Sequence, residues 1–208
     1  MPWINFGGTS KSLETESIYG EFKASLRDRM EDGDRFVTGP MLLDRPYVGG
    51  WKIHIGLGFE RPTTKQATIE GIHEFSDIIQ NYSNRVLFKV GTFEKLVRLT
   101  NPANEQVGKG ITIYVPGTEG AIMPWLIMEM RNFVDCNQGK LTFVGADQCT
   151  NFPIYRGGVI SVRWASFFSP QGPMQKQLDA MERSAQAMCT IAQKVGEATF
   201  WSLLRQVL

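Results

Sequence analysis

The chain has 208 residues, 42% of them hydrophobic and five of them tryptophan, which fits one folded domain with a substantial core and excludes a disordered chain. Its formal net charge is +1, so no nucleic-acid partner is expected and any anion site must be local. The three cysteines, Cys136, Cys149 and Cys189, lack metal-ligand spacing, the first residues lack the basic and apolar segments of a Sec-type signal, and no stretch approaches the length of a membrane span.

Residues 1–17 are rich in Ser, Thr and Gly and read as a loose leader, and the remaining residues 18–208 read as a single domain. Phe22, Leu26 and Met30 recur at helical spacing, which predicts a short helix over 18–30. Strands are expected at 35–38 and 51–57. Ile69, Ile72, Phe75, Ile78 and Ile79 then mark an amphipathic helix between Thr64 and Tyr82. Further strands are expected at 85–90, 111–115 and 159–164, where β-branched and aromatic residues concentrate, and a helix at 124–135. Between them, residues 101–110 combine Asn101-Pro102 with Gly108 and Gly110, the signature of an exposed connection or, less ordinarily, a lid. Met174, Leu178, Met181, Ala185 and Met188, then Phe200, Leu204 and Leu208, predict a helical C-terminus, with about 185–208 as an extension. The fold class expected is α+β, a mainly antiparallel twisted sheet flanked by helices.

Several chemistries are excluded by what is missing. There are two histidines, His54 and His73, and no clustered Cys or carboxylate set, so no metal and no cofactor is expected. Neither a P-loop nor Gly-x-Ser-x-Gly occurs. His73 lies in the amphipathic helix and reads as a partly buried structural residue. What stands out is the run Trp51-Lys-Ile-His-Ile-Gly-Leu57. Alternation along a strand puts Lys52 and His54 on one face with Gly56 and Gly58, opposite Trp51, Ile53, Ile55 and Leu57. A solvated strand face is the ordinary alternative, but glycines beside an imidazole suggest close approach to the backbone. The same parity sets Lys89 apart from Phe88 and Val90, Tyr114 apart from Ile113 and Val115, and Arg163 apart from Val162 and Trp164, while Arg156 precedes Gly157-Gly158. Cations presented by rigid strands suit a dianion such as phosphate.

Taken in order, these pieces resemble the bacterial phosphothreonine lyase family of type III secreted effectors (OspF/SpvC type). The family's Lys-x-His strand is similar to Lys52-Ile-His54, and its Lys-Val strand with a following acidic residue, Lys and hydrophobe is similar to Phe88-Lys-Val-Gly-Thr-Phe-Glu-Lys-Leu96. An aromatic-ended strand resembles Ile111-Thr-Ile-Tyr-Val115. A Tyr-Arg with a second arginine at fixed spacing resembles Tyr155-Arg156 through Arg163, and a Met-Gln-basic-Gln segment resembles Met174-Gln-Lys-Gln177. The resemblance spans roughly residues 35–180. It implies Lys89 as general base, His54 as general acid, Lys52, Arg156 and Arg163 as phosphate ligands, and Tyr114 lining the site. Arg98 is the nearest candidate for a further phosphate-binding arginine.

The activity so implied is β-elimination of phosphate from phosphothreonine or phosphoserine in a protein or peptide, leaving a dehydroamino acid without metal or cofactor. The expected partner is a phosphorylated host protein such as a kinase, with a secretion chaperone as a second candidate, and the expected location is the host cell, reached without a Sec signal. One alternative is a bacterial cytoplasmic lyase that makes dehydroamino acids in a ribosomally synthesised, lanthipeptide-like peptide. Another is a non-catalytic phosphopeptide-binding module. A phosphatase is disfavoured because no nucleophile or metal set is visible.

Overall fold

The computed structural model describes residues 13–43, 49–60, 62–104, 106–145 and 152–166. Its first element, α1 (Leu13–Met30), begins five residues before the expected helix start, so 13–17 are helical and not part of a loose leader; residues 1–12 lie outside the described residues. Tyr19, Phe22, Leu26 and Met30 form its buried stripe, at the i, i+3, i+4 spacing by which a helix turns one face inward. The helix α2 (Lys65–Gln80) is fixed at its start by Thr64, whose hydroxyl accepts from the Ala67 amide 3.0 Å away. It buries Ile69, Ile72, Phe75 and Ile79. The helix α4 (Met123–Cys136) follows a 3-10 turn at Gly117–Ile122 and carries Pro124 in its first turn, where a missing N–H costs nothing. Between α2 and α4 lies α3 (Phe93–Thr100), too short for periodicity to mark, capped by the Thr92 hydroxyl.

Six strands form one antiparallel sheet: β1 (Phe36–Thr38), β2 (Gly49–Ile55), β4 (Leu87–Gly91), β5 (Ile111–Pro116), β7 (Phe152–Tyr155) and β8 (Ile160–Ser166), in the order β1-β4-β5-β2-β8-β7. This is the α+β architecture that the interspersed strands and helices imply. Two short strands, β3 (Leu57–Gly58) and β6 (Thr142–Phe143), pair separately. The alternation of each central strand sorts its residues between two faces. Phe88 and Val90, Ile111, Ile113 and Val115, Ile53 and Ile55, and Ile160 and Val162 share the apolar face and one core with the stripes of α1, α2 and α4. Edge-to-face ring contacts tie the layers: Phe88 to Phe22 at 5.5 Å, Phe88 to Phe75 at 5.2 Å, and Phe75 to Phe133 at 5.8 Å between centroids.

The expected strand over 51–57 is instead broken at Gly56. Its N–H donates to Val159 O at 2.8 Å and its carbonyl accepts from the Val144 amide at 2.6 Å, so the chain leaves one sheet for the other. A Cβ on Gly56 would lie 1.7 Å from Val144 O and 3.3 Å from Gly108 Cα. The glycine does admit a close approach, but what approaches is this protein's own backbone. The connection 101–110 divides likewise: residues 101–103 are exposed, while Val107, Gly108 and Gly110 are buried against the sheet. Among the described residues no helix is long and apolar enough to cross a membrane. The expected C-terminal helix, with its extension over 185–208 and the segment Met174-Gln-Lys-Gln177, lies outside the described residues.

Candidate active site

The register of four neighbouring strands assembles the site. In one row across the sheet, Lys89 of β4 pairs with Thr112 of β5, Thr112 with His54 of β2, and His54 with Ser161 of β8. In the next row Tyr114 pairs with Lys52, and Lys52 with Arg163. Paired residues in an antiparallel ladder point to the same face, so sequence positions spread over more than a hundred residues converge on one polar surface. This brings together Lys89, His54, Lys52, Tyr114 and Arg163, five of the seven residues singled out from sequence.

His54 is 3% exposed, and its Nδ1 lies 3.1 Å from the Thr112 hydroxyl. Its Nε2, sealed from solvent, has no hydrogen-bond partner among the described residues; the same holds for Ser161 Oγ and Arg163 Nε. Buried polar atoms left unpaired cost about 1–3 kcal/mol each, and these three occupy adjoining positions on β2 and β8; Ser76 Oγ of α2 is unpaired as well. Lys52 is buried as well, at 8% exposure. The Tyr114 ring stands between the two lysines, with Lys52 Nζ 5.6 Å and Lys89 Nζ 5.7 Å from its centroid. On its other side Lys89 Nζ sits 4.1 Å from the centroid of Phe36, a β1 residue that also faces Lys95 Nζ at 5.5 Å.

These groups repel one another. Burial, followed by the charges of Arg163, Lys89 and Lys109, pushes Lys52 down to about 8. Lys89 is lowered by burial and by Arg163. His54 falls well below the usual histidine range, first through burial and then through Arg163, Lys109, Lys52 and Lys89, so its imidazole is neutral at pH 7. The Tyr114 phenol is pushed up to about 12 by burial, with Arg163 acting in the opposite direction, and stays protonated. Of the two lysines, Lys52 is depressed further than Lys89, the one given the base role by the resemblance. A buried imidazole among four cations is what a dianion would relieve, since its charge offsets all of them at once.

Arg156 and Arg98 are not brought to this cluster. Arg156, at positive φ (45°) where β7 ends, is 2.7 Å from Asp135 of α4, and its Nε donates to the Tyr155 hydroxyl at 2.9 Å. Tyr155 in turn donates to the same carboxylate at 2.7 Å. Arg98 lies exposed on α3 between Asp34 at 2.7 Å and Glu94 at 2.8 Å. A carboxylate already satisfies each guanidinium. His73 makes a structural contact, with Nε2 3.2 Å from Lys23 O.

Three residues of the site were not named from sequence. Thr112 and Ser161 share the parity of Tyr114 and Arg163, so the alternation that found those would have found them. Lys109 lies in the connection outside any strand, and its signal was the pair of glycines that flank it. A cavity of about 460 Å³ lies elsewhere, beside the start of α2 and the turn after α4, lined by residues including Glu70, Glu74, Asn137 and Lys140. Among the described residues no three His, Cys, Asp or Glu side chains gather to hold a metal. No protein-family model matches the chain, and no curated protein matches it; the lyase resemblance therefore rests on the order of its motifs.

Proposed function

We propose that this protein is a metal-independent phospholyase that eliminates phosphate from phosphothreonine or phosphoserine in a protein or peptide. The observation that carries the proposal is the buried, half-satisfied His54 imidazole, set in one sheet row with Lys89 and beside Lys52 and Arg163. It supports a phosphate dianion as ligand and a proton donor next to it.

In the proposed reaction Lys52 and Arg163 hold the phosphate. Lys89, neutral, takes the proton from the α-carbon; that C–H pair becomes the new C=C bond as the β-carbon–oxygen bond breaks. The phosphate oxygen leaves with its electron pair and receives a proton from His54. A lysine of ordinary pKa ~10.4 is almost wholly protonated at pH 7, so the lowering of Lys89 by burial and Arg163 works in the required direction. His54 starts neutral, and the arriving dianion is what gives it the proton that it later donates. Arg163, fixed on β8, stabilises charge as it develops on the leaving oxygen. Nε2 is out of solvent contact, so a phosphopeptide reaches it only when the atoms packed over it give way.

In this proposal Arg156 and Arg98 hold no phosphate. The partner is a phosphorylated protein or peptide; whether it is a host signalling protein met by a secreted effector, or a peptide modified in the bacterial cytoplasm, is decided by which substrate is turned over. Mass spectrometry of a phosphothreonine peptide after incubation tests the proposal. A product one water lighter than the dephosphorylated peptide is expected. The alcohol would indicate a phosphatase, and an unchanged but bound peptide would indicate a recognition module.

A further inference from the structure

We propose that Phe36 is a positioning residue for the general base: its ring face fixes where Lys89 Nζ stands and stabilises the charge that Lys89 gains as it takes the α-proton. The inference rests on the lyase reading above and adds a residue of β1 to which the motif resemblance gives no role.

The placement follows from register. Thr38 of β1 pairs with Lys89 of β4 and Phe36 pairs with Gly91, so Phe36 and Lys89 are diagonal neighbours on one face, within reach of an aromatic ring. Gly91 has no side chain to set opposite Phe36; the Lys95 stem lies there instead, its Cγ 3.2 Å from where a Cβ on Gly91 would be. The backbone of β1 is fixed on both sides of the ring, because Arg35 O accepts from the Thr92 amide at 2.9 Å and the Gly39 amide donates to Phe88 O at 3.0 Å. Lys89 Nζ then stands over the Phe36 ring, 4.1 Å from its centroid and well inside the ~6 Å over which a ring face attracts a cation.

Among the described residues no hydrogen bond and no ion pair holds Lys89 Nζ; the Phe36 and Tyr114 rings meet it instead. Lys95, the other ammonium that faces Phe36, has a carboxylate of its own, Asp34 at 3.6 Å. A base on a flexible four-carbon stem needs something that fixes its nitrogen yet leaves it able to lose its proton. A carboxylate would do the first and defeat the second, by favouring the ammonium strongly. A ring face is a weaker partner, so burial and Arg163 still lower Lys89, and its attraction grows as charge develops on Nζ in the transition state.

The test places mono-, di- and trifluorinated phenylalanine at position 36 of the full chain, which keeps the ring's shape while weakening its negative face, alongside Phe36→Leu and Phe36→Tyr. Lys89 is followed by carbon NMR of lysine-labelled protein, its signal assigned by its loss in Lys89→Met, and elimination by phosphate release from a phosphothreonine peptide. The groups that face Lys89 are Lys52 and His54 of β2, Tyr114 of β5, Arg163 of β8 and, around Phe36, Asp34 and Lys95; all of them stay unchanged. Fluorination is expected to lower the Lys89 titration stepwise, by about half a unit to one unit in the trifluorinated ring and in Phe36→Leu, with Phe36→Tyr closest to wild type. Above that titration kcat should fall in the same order, by about twofold to tenfold, with KM changing less. A Lys89 titration and a kcat that do not follow fluorination would overturn the inference. So would a loss of kcat in Phe36→Leu that the fluorinated rings do not share, since that is a packing effect. If wild type eliminates nothing while the titration still follows fluorination, the lyase proposal falls and the hold of the ring on Lys89 stands.

Discussion

Replacing Lys52 with methionine should make the ligand-free protein more stable at neutral pH. The fall from 10.5 to about 8 means that the folded state holds the charged ammonium less willingly than the unfolded chain. At about 1.4 kcal/mol per unit this difference is roughly 3 kcal/mol, and discounting for the water that still reaches the side chain leaves ~1–2 kcal/mol. The sign follows from proton counting. Between about pH 8 and 10.5 the unfolded chain binds a proton at Lys52 that the folded protein does not, so wild-type stability rises with pH across that window. Below it, both states are protonated and the full cost remains. Urea unfolding at pH 7 and pH 10.5 measures this directly: Lys52→Met should exceed wild type at pH 7, and the gap should narrow at pH 10.5. Saturating phosphate should reverse the order by stabilising wild type more, as a ligand of the folded state must. A Lys52→Met protein less stable than wild type at pH 7, with no phosphate-dependent gain in either, would refute the picture of a strained cation cluster awaiting an anion.

His54, its pKa held well below the usual histidine range, should take up a proton as phosphate binds. A unit of charge ~4 Å away is worth about 4 kcal/mol at an intermediate dielectric, roughly three pKa units, so binding enthalpy at pH 7 should vary with the ionisation enthalpy of the buffer; no buffer dependence would remove the proton-donor role. Arg163→Ala should weaken phosphate binding by at least tenfold, whereas Arg156→Ala, already held by Asp135 and Tyr155, should change it less than twofold; equal losses would show that both arginines reach the ligand. Lys89→Ala and His54→Ala should each lower elimination by about 10²–10⁴-fold with folded proteins by circular dichroism, the usual contribution of general acid–base groups. Turnover near wild type in either variant would reassign the catalysis, with Lys52, the more depressed lysine, as the next candidate base.

Much of this site was legible because it is built on strands. Two-residue parity alone places Lys52 with His54, and the same rule applied to three other strands yields Lys89, Tyr114 and Arg163. What parity cannot give is register, and the register is what sets Lys52 opposite both Tyr114 and Arg163, and His54 opposite Thr112 and Ser161. Arg156 shows where local pattern runs out. Two residues before Gly158 it sits at a strand end with positive φ, and a carboxylate from a helix decides its direction. Arg98 was drawn away in the same manner by Asp34 and Glu94. Lys109 lay outside every periodic segment, so its place depended on long-range contacts of its glycine neighbours with Gly56, Leu57 and Gly91. Helices α2 and α4 were read within one or two residues of their ends, because their buried apolar stripes fix the phase, whereas α1 begins five residues before its stripe-based start because its first turns carry few buried side chains.

In the proposed elimination, an α-proton and phosphate leave one substrate in one event at this cation cluster. A phosphothreonine peptide carrying deuterium at the α-carbon, incubated with the full chain and followed by mass spectrometry, tests it most directly. Phosphate and deuterium should be lost together, the product should be an alkene, and the deuterated peptide should react more slowly than the ordinary one when proton removal limits the rate. Release of phosphate with the deuterium retained and a hydroxyl left on the peptide would contradict it.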